Sequence, residues 1–85
     1  MQNNDEPLPS SDLDYTAEEM LSCIQRMPHG YKTVFNLYVV EGMMHKEISD
    51  MLGIDVNTSK SQLSRAKAFL QKELNEISKV KSFAS

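Results

Sequence analysis

The stretch HKEISDMLGIDVNTSKSQLSRAKAFLQKEL, residues 45–74, decides the fold. Its apolar spacing predicts a short helix over 45–52 and a long helix over 56–75. Gly53 lies directly after the short helix and suits the positive φ that ends a helix. Only residues 53–55 separate the two helices, and a glycine is among them. The stretch therefore predicts a helix-turn-helix.

Each of these helices has an inward-facing set of apolar residues. The short helix is predicted to bury Ile48, Met51 and Leu52. The long helix is predicted to bury Val56, Leu63, Ala66, Leu70, Leu74 and Ile77, whose spacing keeps one face for about five turns. At the turn, Ser49 is small enough for a close crossing, Ile54 fills the angle, and Asp55 suits an N-cap.

Two more helices are predicted upstream. Thr16 and Glu19 have the spacing of a capping box and predict a helix over 16–27. A second, mostly apolar helix is predicted over 29–41. Residues 34–40 would also suit a buried strand, but the sequence offers no second strand to pair with it. The predicted fold is all-α, with four helices and no sheet.

Composition excludes several classes of protein. With 85 residues and 40% hydrophobic content, the chain has room for one small domain. Cys23, the one cysteine, does not form a metal box with His29 and His45, so we predict no metal, no cofactor and a reducing, cytoplasmic setting. No apolar run approaches a membrane span. Since the sequence has no Gly-rich phosphate loop, no Ser/His/Asp set and no paired inward carboxylates, we predict neither an enzyme nor a small-molecule substrate.

Charge is distributed unevenly along the chain. Residues 1–55 carry ten acidic and three basic side chains, whereas residues 56–85 carry two acidic and six basic ones. No acidic residue occurs from Val56 to Lys72. The outward face there holds Asn57, Thr58, Ser61, Ser64, Arg65, Ala68 and Lys72, flanked by Lys60 and Gln62. Short hydroxyls and cations on an exposed helix favour contact with the DNA major groove over a merely solvated face.

The sequence also predicts domain boundaries. Residues 1–14 are polar and acidic, with two prolines, and are interpreted as a flexible leader or interdomain linker remnant. The folded domain is predicted over residues 15–77. Residues 78–85 have no apolar stripe and are predicted to be a frayed tail.

Residues 45–74 resemble region four of bacterial RNA polymerase sigma factors of the extracytoplasmic-function group. The preceding MPHGYKTVFNLYVVEG, residues 27–42, is similar to the usual lead-in of that family. The resemblance covers about residues 15–75, and YKTVFNLYVVEG, HKEIS…LGI and TSKSQLSRAK follow one another at the family's spacing. It implies a four-helix domain of the winged-helix-like, sigma region four type. Its implied role is recognition of the upstream (minus-thirty-five) element of double-stranded promoter DNA.

The resemblance also implies roles for individual residues and partners. The implied base-edge readers are Lys60, Ser61 and Ser64. The implied phosphate contacts are His45, Lys46, Thr58, Ser59, Arg65 and Lys67. The implied partners are core RNA polymerase, through its flap, and an anti-sigma factor. For such a partner, the sequence offers an apolar patch of Val39, Val40, Met43 and Phe69.

The chain departs from the family pattern in several places. Met44 replaces a Ser or Thr that would cap the short helix, Asp55 replaces the commoner Ser, and Ser59 replaces a frequent Val. The region that binds the downstream promoter element and melts DNA is missing from the sequence, so we interpret the chain as the C-terminal domain of a longer factor. Two alternatives stay open: a helix-turn-helix output domain of a response regulator or small repressor, and a protein-binding module for an anti-sigma factor or the flap.

Overall fold

The computed structural model describes residues 15–84, with side chains through residue 80. Its helices are α1 (Ala17–Gln25), α2 (His29–Phe35), α3 (His45–Leu52) and α4 (Val56–Ala84), and α2 continues into a π-helical segment, Asn36–Val40. No strand occurs within residues 15–84. The all-α, four-helix prediction is confirmed, whereas the predicted leader, residues 1–14, lies outside the described part.

Helix α1 begins at the predicted capping box. The Thr16 hydroxyl accepts from the Glu19 N–H at 3.1 Å, and the Glu19 carboxylate accepts from the Thr16 N–H at 2.8 Å. These two bonds satisfy N–H groups that have no partner within the helix. Cys23 points into the core with no exposed surface.

Helix α2 and the π-helical segment replace the single α-helix predicted over 29–41. Within the π-helical segment, the Glu41 N–H donates to the Asn36 carbonyl, five residues back, at 3.0 Å. Gly42 follows with a φ of 74°, which ends the helical run. Helical rather than strand geometry over residues 34–40 agrees with the prediction, but the wider winding was not predicted.

Helix α3 and the turn after it have the expected form at Gly53 and Ile54. Gly53 has a φ of 69°, and the Ser49 hydroxyl donates to the Ile54 carbonyl across the turn. Ile54 packs against the core from the turn, as predicted. The predicted burial of Met51 and Leu52 is wrong: Met51 is 62% exposed and Leu52 is 38% exposed. On so short a helix only the side of Ile48 faces the body, and Ile54 fills the adjoining corner.

Helix α4 is the longest element and packs against α1, α2 and α3. Its 29 residues correspond to about 43 Å of helix, close to the 47 Å longest extent of the described part of the chain. The helix reaches Ala84, beyond the predicted end at 75 and through most of the segment expected to fray. Backbone hydrogen bonds continue a helix past the point where its apolar stripe ends. Within the described residues, no helix is both long and apolar enough to cross a bilayer.

The core lies where α4 crosses the other helices. Its buried members are Cys23, Met27, Val34, Phe35, Ile48, Leu63, Ala66, Leu70 and Leu74. Four of the six residues predicted inward on α4 are in this set, while Val56 and Ile77 are half-buried. This packing holds α4 by one side and leaves the opposite side of its first half in solvent.

Candidate nucleic-acid interface

The N-terminal half of α4 presents the acid-free face to solvent. Lys60, Ser61 and Ser64, the predicted base readers, are all exposed there. Lys60 lies on the side of α4 that approaches α3, whereas Ser61 and Ser64 lie farther from the core stripe. The predicted readers therefore share one accessible surface of one helix.

A shallow depression runs along this surface. Its lining residues are Asn57, Thr58, Ser61, Gln62 and Arg65, which lie on adjacent turns of α4. The side chain of Gln62, which lines the depression, lies close to α2. A Cβ atom built on Gly30 of α2 would be 3.3 Å from the Gln62 Nε2 atom. The lining offers hydroxyl, amide and guanidinium groups, which are the groups that hydrogen-bond base edges and phosphates.

His45, at the start of α3, joins the supporting helix to α4. Its Nδ1 atom lies 2.8 Å from the Ser59 hydroxyl oxygen. Its ring stacks on Tyr38, with ring centroids 4.6 Å apart and planes 20° from parallel. Three elements thus meet at one half-buried imidazole, and the ring is held from two sides.

The surroundings of His45 lower its pKa from the ordinary value. Partial burial of the ring is the largest cause, because it penalises the charged form. The positive charges of Lys60 and Lys67 act in the same direction. All three causes favour the neutral form of the imidazole.

The burial of Ser59 corrects one predicted contact. Ser59 has 0% exposure and is the buried polar residue of α4 whose hydroxyl pairs with His45. A buried hydroxyl has no surface to offer to a phosphate, so the burial of Ser59 argues against the direct phosphate contact that the resemblance implied. Ser59 occupies the core stripe four residues before Leu63, and that spacing was the signal for its burial.

The other predicted phosphate contacts lie on the rim of this surface. Lys46 and Thr58 are exposed, as is Arg65, while Lys67 is half-buried beside α3. His45, Lys60 and Lys67 form one group, since both lysines are close enough to act on the pKa of the imidazole.

The start of α3 shows how the missing Ser or Thr at Met44 is compensated. The Glu47 carboxylate accepts from the Met44 N–H at 2.7 Å. This is the half of a capping box that the third helical residue supplies. The other half needs a side-chain oxygen, which methionine lacks. The helix start therefore keeps one of its two possible caps.

The predicted apolar patch is divided between exposed and half-buried residues. Val40 is 69% exposed and Val39 is 43% exposed, at the end of the π-helical segment. Met43 and Phe69 are half-buried and pack against the core. Its most accessible part is therefore the valine pair.

Sequence reasoning missed the part played by Tyr38. The sequence marked it as one apolar position of a central helix, whereas the structure places its ring on His45. No signal in the sequence pairs these residues, since the contact depends on how the π-helical segment turns. In the described residues, no cluster of three or more His, Cys, Asp or Glu side chains could hold a metal ion.

The fold and this face define a helix-turn-helix protein of the DNA-binding class. A family model described as Sigma-70, region 4 matches residues 17–70, which is more than half of the chain. The chain therefore belongs to the sigma-70 region 4 family. Region 4 is a DNA-binding domain of sigma factors that recognises promoter DNA, and it is not a catalytic domain. No curated protein matches the chain. No solved structure matches it either.

Proposed function

We propose that this chain recognises the upstream (minus-thirty-five) element of bacterial promoters as region 4 of an extracytoplasmic-function sigma factor. The observation that carries the proposal is the exposed face of α4, which has no acidic residue from Val56 to Lys72 and stands on a helix-turn-helix. A helix of this kind fits the major groove with its first turns against the base edges.

Within this proposal the side chains divide into two groups. Lys60, Ser61 and Ser64 read base edges. The phosphate contacts are His45, Lys46, Thr58, Arg65 and Lys67, which surround the base readers. Ser61 also lines the depression that contains Arg65. Phosphate contacts fix the position of the helix, and base contacts supply the sequence preference.

The proposal also assigns partners and a location. The domain works on core RNA polymerase, bound through the flap, and hence in the cytoplasm. An anti-sigma factor is a further proposed partner, with Val39, Val40, Met43 and Phe69 as its docking patch. Support for the patch comes from the high exposure of the two valines, which are apolar side chains facing solvent.

Selection of duplexes from a random pool tests the promoter role. The full 85-residue chain, alone and with core RNA polymerase, should enrich a single asymmetric element. Enrichment of two-fold symmetric half-sites would instead indicate a dimeric repressor or response-regulator domain. Failure to enrich any duplex, with binding to the polymerase flap retained, would favour the protein-binding module.

Matched variants test the assigned face. Arg65→Ala should weaken binding to the selected duplex by about 1–3 kcal/mol. Lys79→Ala is the matched control, since Lys79 is an exposed cation of the same helix beyond the acid-free stretch. Equal losses in both variants would show that binding depends on net charge and not on this face.

A further inference from the structure

His45 is held by residues of two other elements in a way that fixes its chemistry. The Ser59 hydroxyl lies 2.8 Å from Nδ1, and the Tyr38 ring covers one face of the imidazole. Because Ser59 has no exposed surface, its hydroxyl proton cannot be donated to bulk water. A buried hydroxyl proton left without an acceptor is costly, and His45 Nδ1 is the hydrogen-bond partner that the structure shows for this hydroxyl.

This pairing selects one tautomer of the neutral ring. If the Ser59 hydroxyl donates to Nδ1, the ring proton must be on Nε2. Nε2 is on the edge of the ring away from the buried serine. His45 is half-buried, so part of the residue reaches solvent.

We propose that Ser59 and Tyr38 are positioning residues, which fix His45 as a neutral Nε2–H donor to a DNA phosphate. The inference rests on the proposed function and deepens it, because it assigns a specific hydrogen-bond donor to one residue of the proposed DNA surface. It also gives Ser59, which replaces a valine that is frequent in the family, a role in DNA binding although Ser59 itself does not contact DNA. Valine there could pack but could not hold the imidazole.

The charged groups around His45 make the arrangement pH-sensitive. From α4, Lys60 and Lys67 face the ring, and from the π-helical segment its neighbour is the Tyr38 phenol. On α3 itself, the Glu47 carboxylate accepts from the Met44 N–H. A proton taken up at Nδ1 would replace the acceptor of the Ser59 hydroxyl proton with a donor, so the pairing with Ser59 favours the neutral ring. The orientation that Ser59 gives the ring therefore weakens when Nδ1 takes up a proton.

Nitrogen NMR of the histidine rings in the full chain tests the tautomer directly. We expect the Nε2–H tautomer for His45 in the wild type and a mixture of tautomers in Ser59→Ala. The exposed His29 ring provides an internal comparison that should not change. A wild-type His45 carrying its proton on Nδ1, or a tautomer unaffected by Ser59→Ala, would overturn the inference.

Binding to the selected duplex tests the role in DNA recognition. Ser59→Ala should weaken binding about fivefold at pH 7, the usual effect of one hydrogen bond. Ser59→Val should show the same loss with the packing volume retained, which separates lost orientation from a lost fold. In the double variant Ser59→Ala/His45→Ala, the loss should equal that of His45→Ala alone, because one residue acts through the other. Additive losses would contradict the inference.

Two variants of Tyr38, which stacks on His45, test its role. Tyr38→Leu should weaken DNA binding and alter the pH dependence of binding, whereas Tyr38→Phe keeps the ring and should do neither. In the wild type, the contribution of Ser59 to DNA binding should fade as the pH falls through the folded-state pKa of His45, so Ser59→Ala should cost less affinity at low pH than at pH 7. A wild type that binds no duplex would remove the proposed function and this inference together. A wild type that binds, with Ser59→Ala indistinguishable from it, would remove this inference alone.

Discussion

Helix α4 meets α3 and α1 through chemically different contacts. At α3 the contact is a neutral hydrogen bond between His45 and Ser59, whose hydroxyl is fully buried. At α1 it is an ion pair between Arg26 and Glu73, with 2.7 Å between Nη2 and Oε1 and a half-exposed arginine side chain. The hydrogen bond to Glu73 is the main cause that raises the pKa of Arg26.

The difference between the two contacts follows the distribution of acidic residues along α4. Glu73 is the first acidic residue of the helix and comes directly after the acid-free stretch. The contact between α4 and α3 thus involves no negatively charged side chain near the proposed DNA surface. The contact between α4 and α1 involves Glu73, which lies beyond the acid-free stretch. An exposed ion pair adds little stability, and a satisfied buried hydrogen bond specifies geometry. The α3 contact therefore matters more for orientation of the surface.

The largest expected effect on stability comes from truncating a buried side chain that lies between the two contacts along α4. Leu70 is fully buried on α4 between Ser59 and Glu73. Leu70→Ala should lower the free energy of unfolding by about 2–5 kcal/mol, since the lost packing is only partly recovered by relaxation. Urea denaturation followed by circular dichroism measures it. Leu21→Ala, at an exposed leucine of α1, is the control and should change stability by less than about 0.5 kcal/mol. Similar losses in both would contradict this core.

The next effect tests the turn on the α3 side. Gly53 has a φ of 69°, and nothing lies within 4 Å of a Cβ built there. Gly53→Ala should therefore lower the free energy of unfolding through the backbone alone, by about 1–2 kcal/mol. Gly53→Asn should recover part of the loss, because asparagine tolerates the left-handed region. Thermal unfolding of both variants checks the order, and an alanine variant as stable as wild type would refute it.

A smaller effect tests the α3 contact by pH. The folded state lowers the pKa of His45, so between the folded and unfolded pKa values the unfolded chain binds more protons. The His45 contribution to stability is therefore present above about pH 6.5 and is lost as the pH falls through the folded-state pKa. His45→Gln should remove this contribution to the slope, measured by urea denaturation from pH 8 to pH 5. A steeper slope in the variant would reverse the assigned sign.

The smallest effect tests the α1 contact by salt. Arg26→Ala should destabilise the domain slightly at low salt and hardly at all at high salt, because an exposed ion pair is screened. Arg26→Lys keeps the charge and should recover part of the loss. Unfolding in urea at the two salt concentrations checks this. A loss unaffected by salt would mean that the contact to the Cys23 sulfur, at 3.5 Å, matters more than the ion pair.

Local sequence signals predicted much of the fold. The capping box at Thr16 and Glu19, the glycine turn at Gly53 and the stripe from Leu63 to Leu74 all depend on residues close together in the chain. Such interactions leave a fixed spacing that can be recognised without coordinates. Family membership was predicted on the same basis, from motifs in order along the chain.

Features that depend on distant packing were predicted less well. Met51 and Leu52 have helical spacing but lie on a helix too short to bury them, and Ile54 fills the corner instead. Of the candidate site, the exposed positions of Lys60, Ser61 and Ser64 could be predicted. The core position of Ser59 could be predicted from the valine that is frequent there, whereas its contact with His45 spans fourteen residues and could not.

The chain has one cysteine, Cys23, which lies on α1 and is fully buried in the core. Thiol-modifying reagents need an accessible thiolate, so the closed domain protects this atom. Modification must wait until the helix lifts or the domain opens, and its rate therefore records how often that occurs. The domain thus carries a built-in reporter of its own opening, which can be read with and without DNA and needs no engineered cysteine.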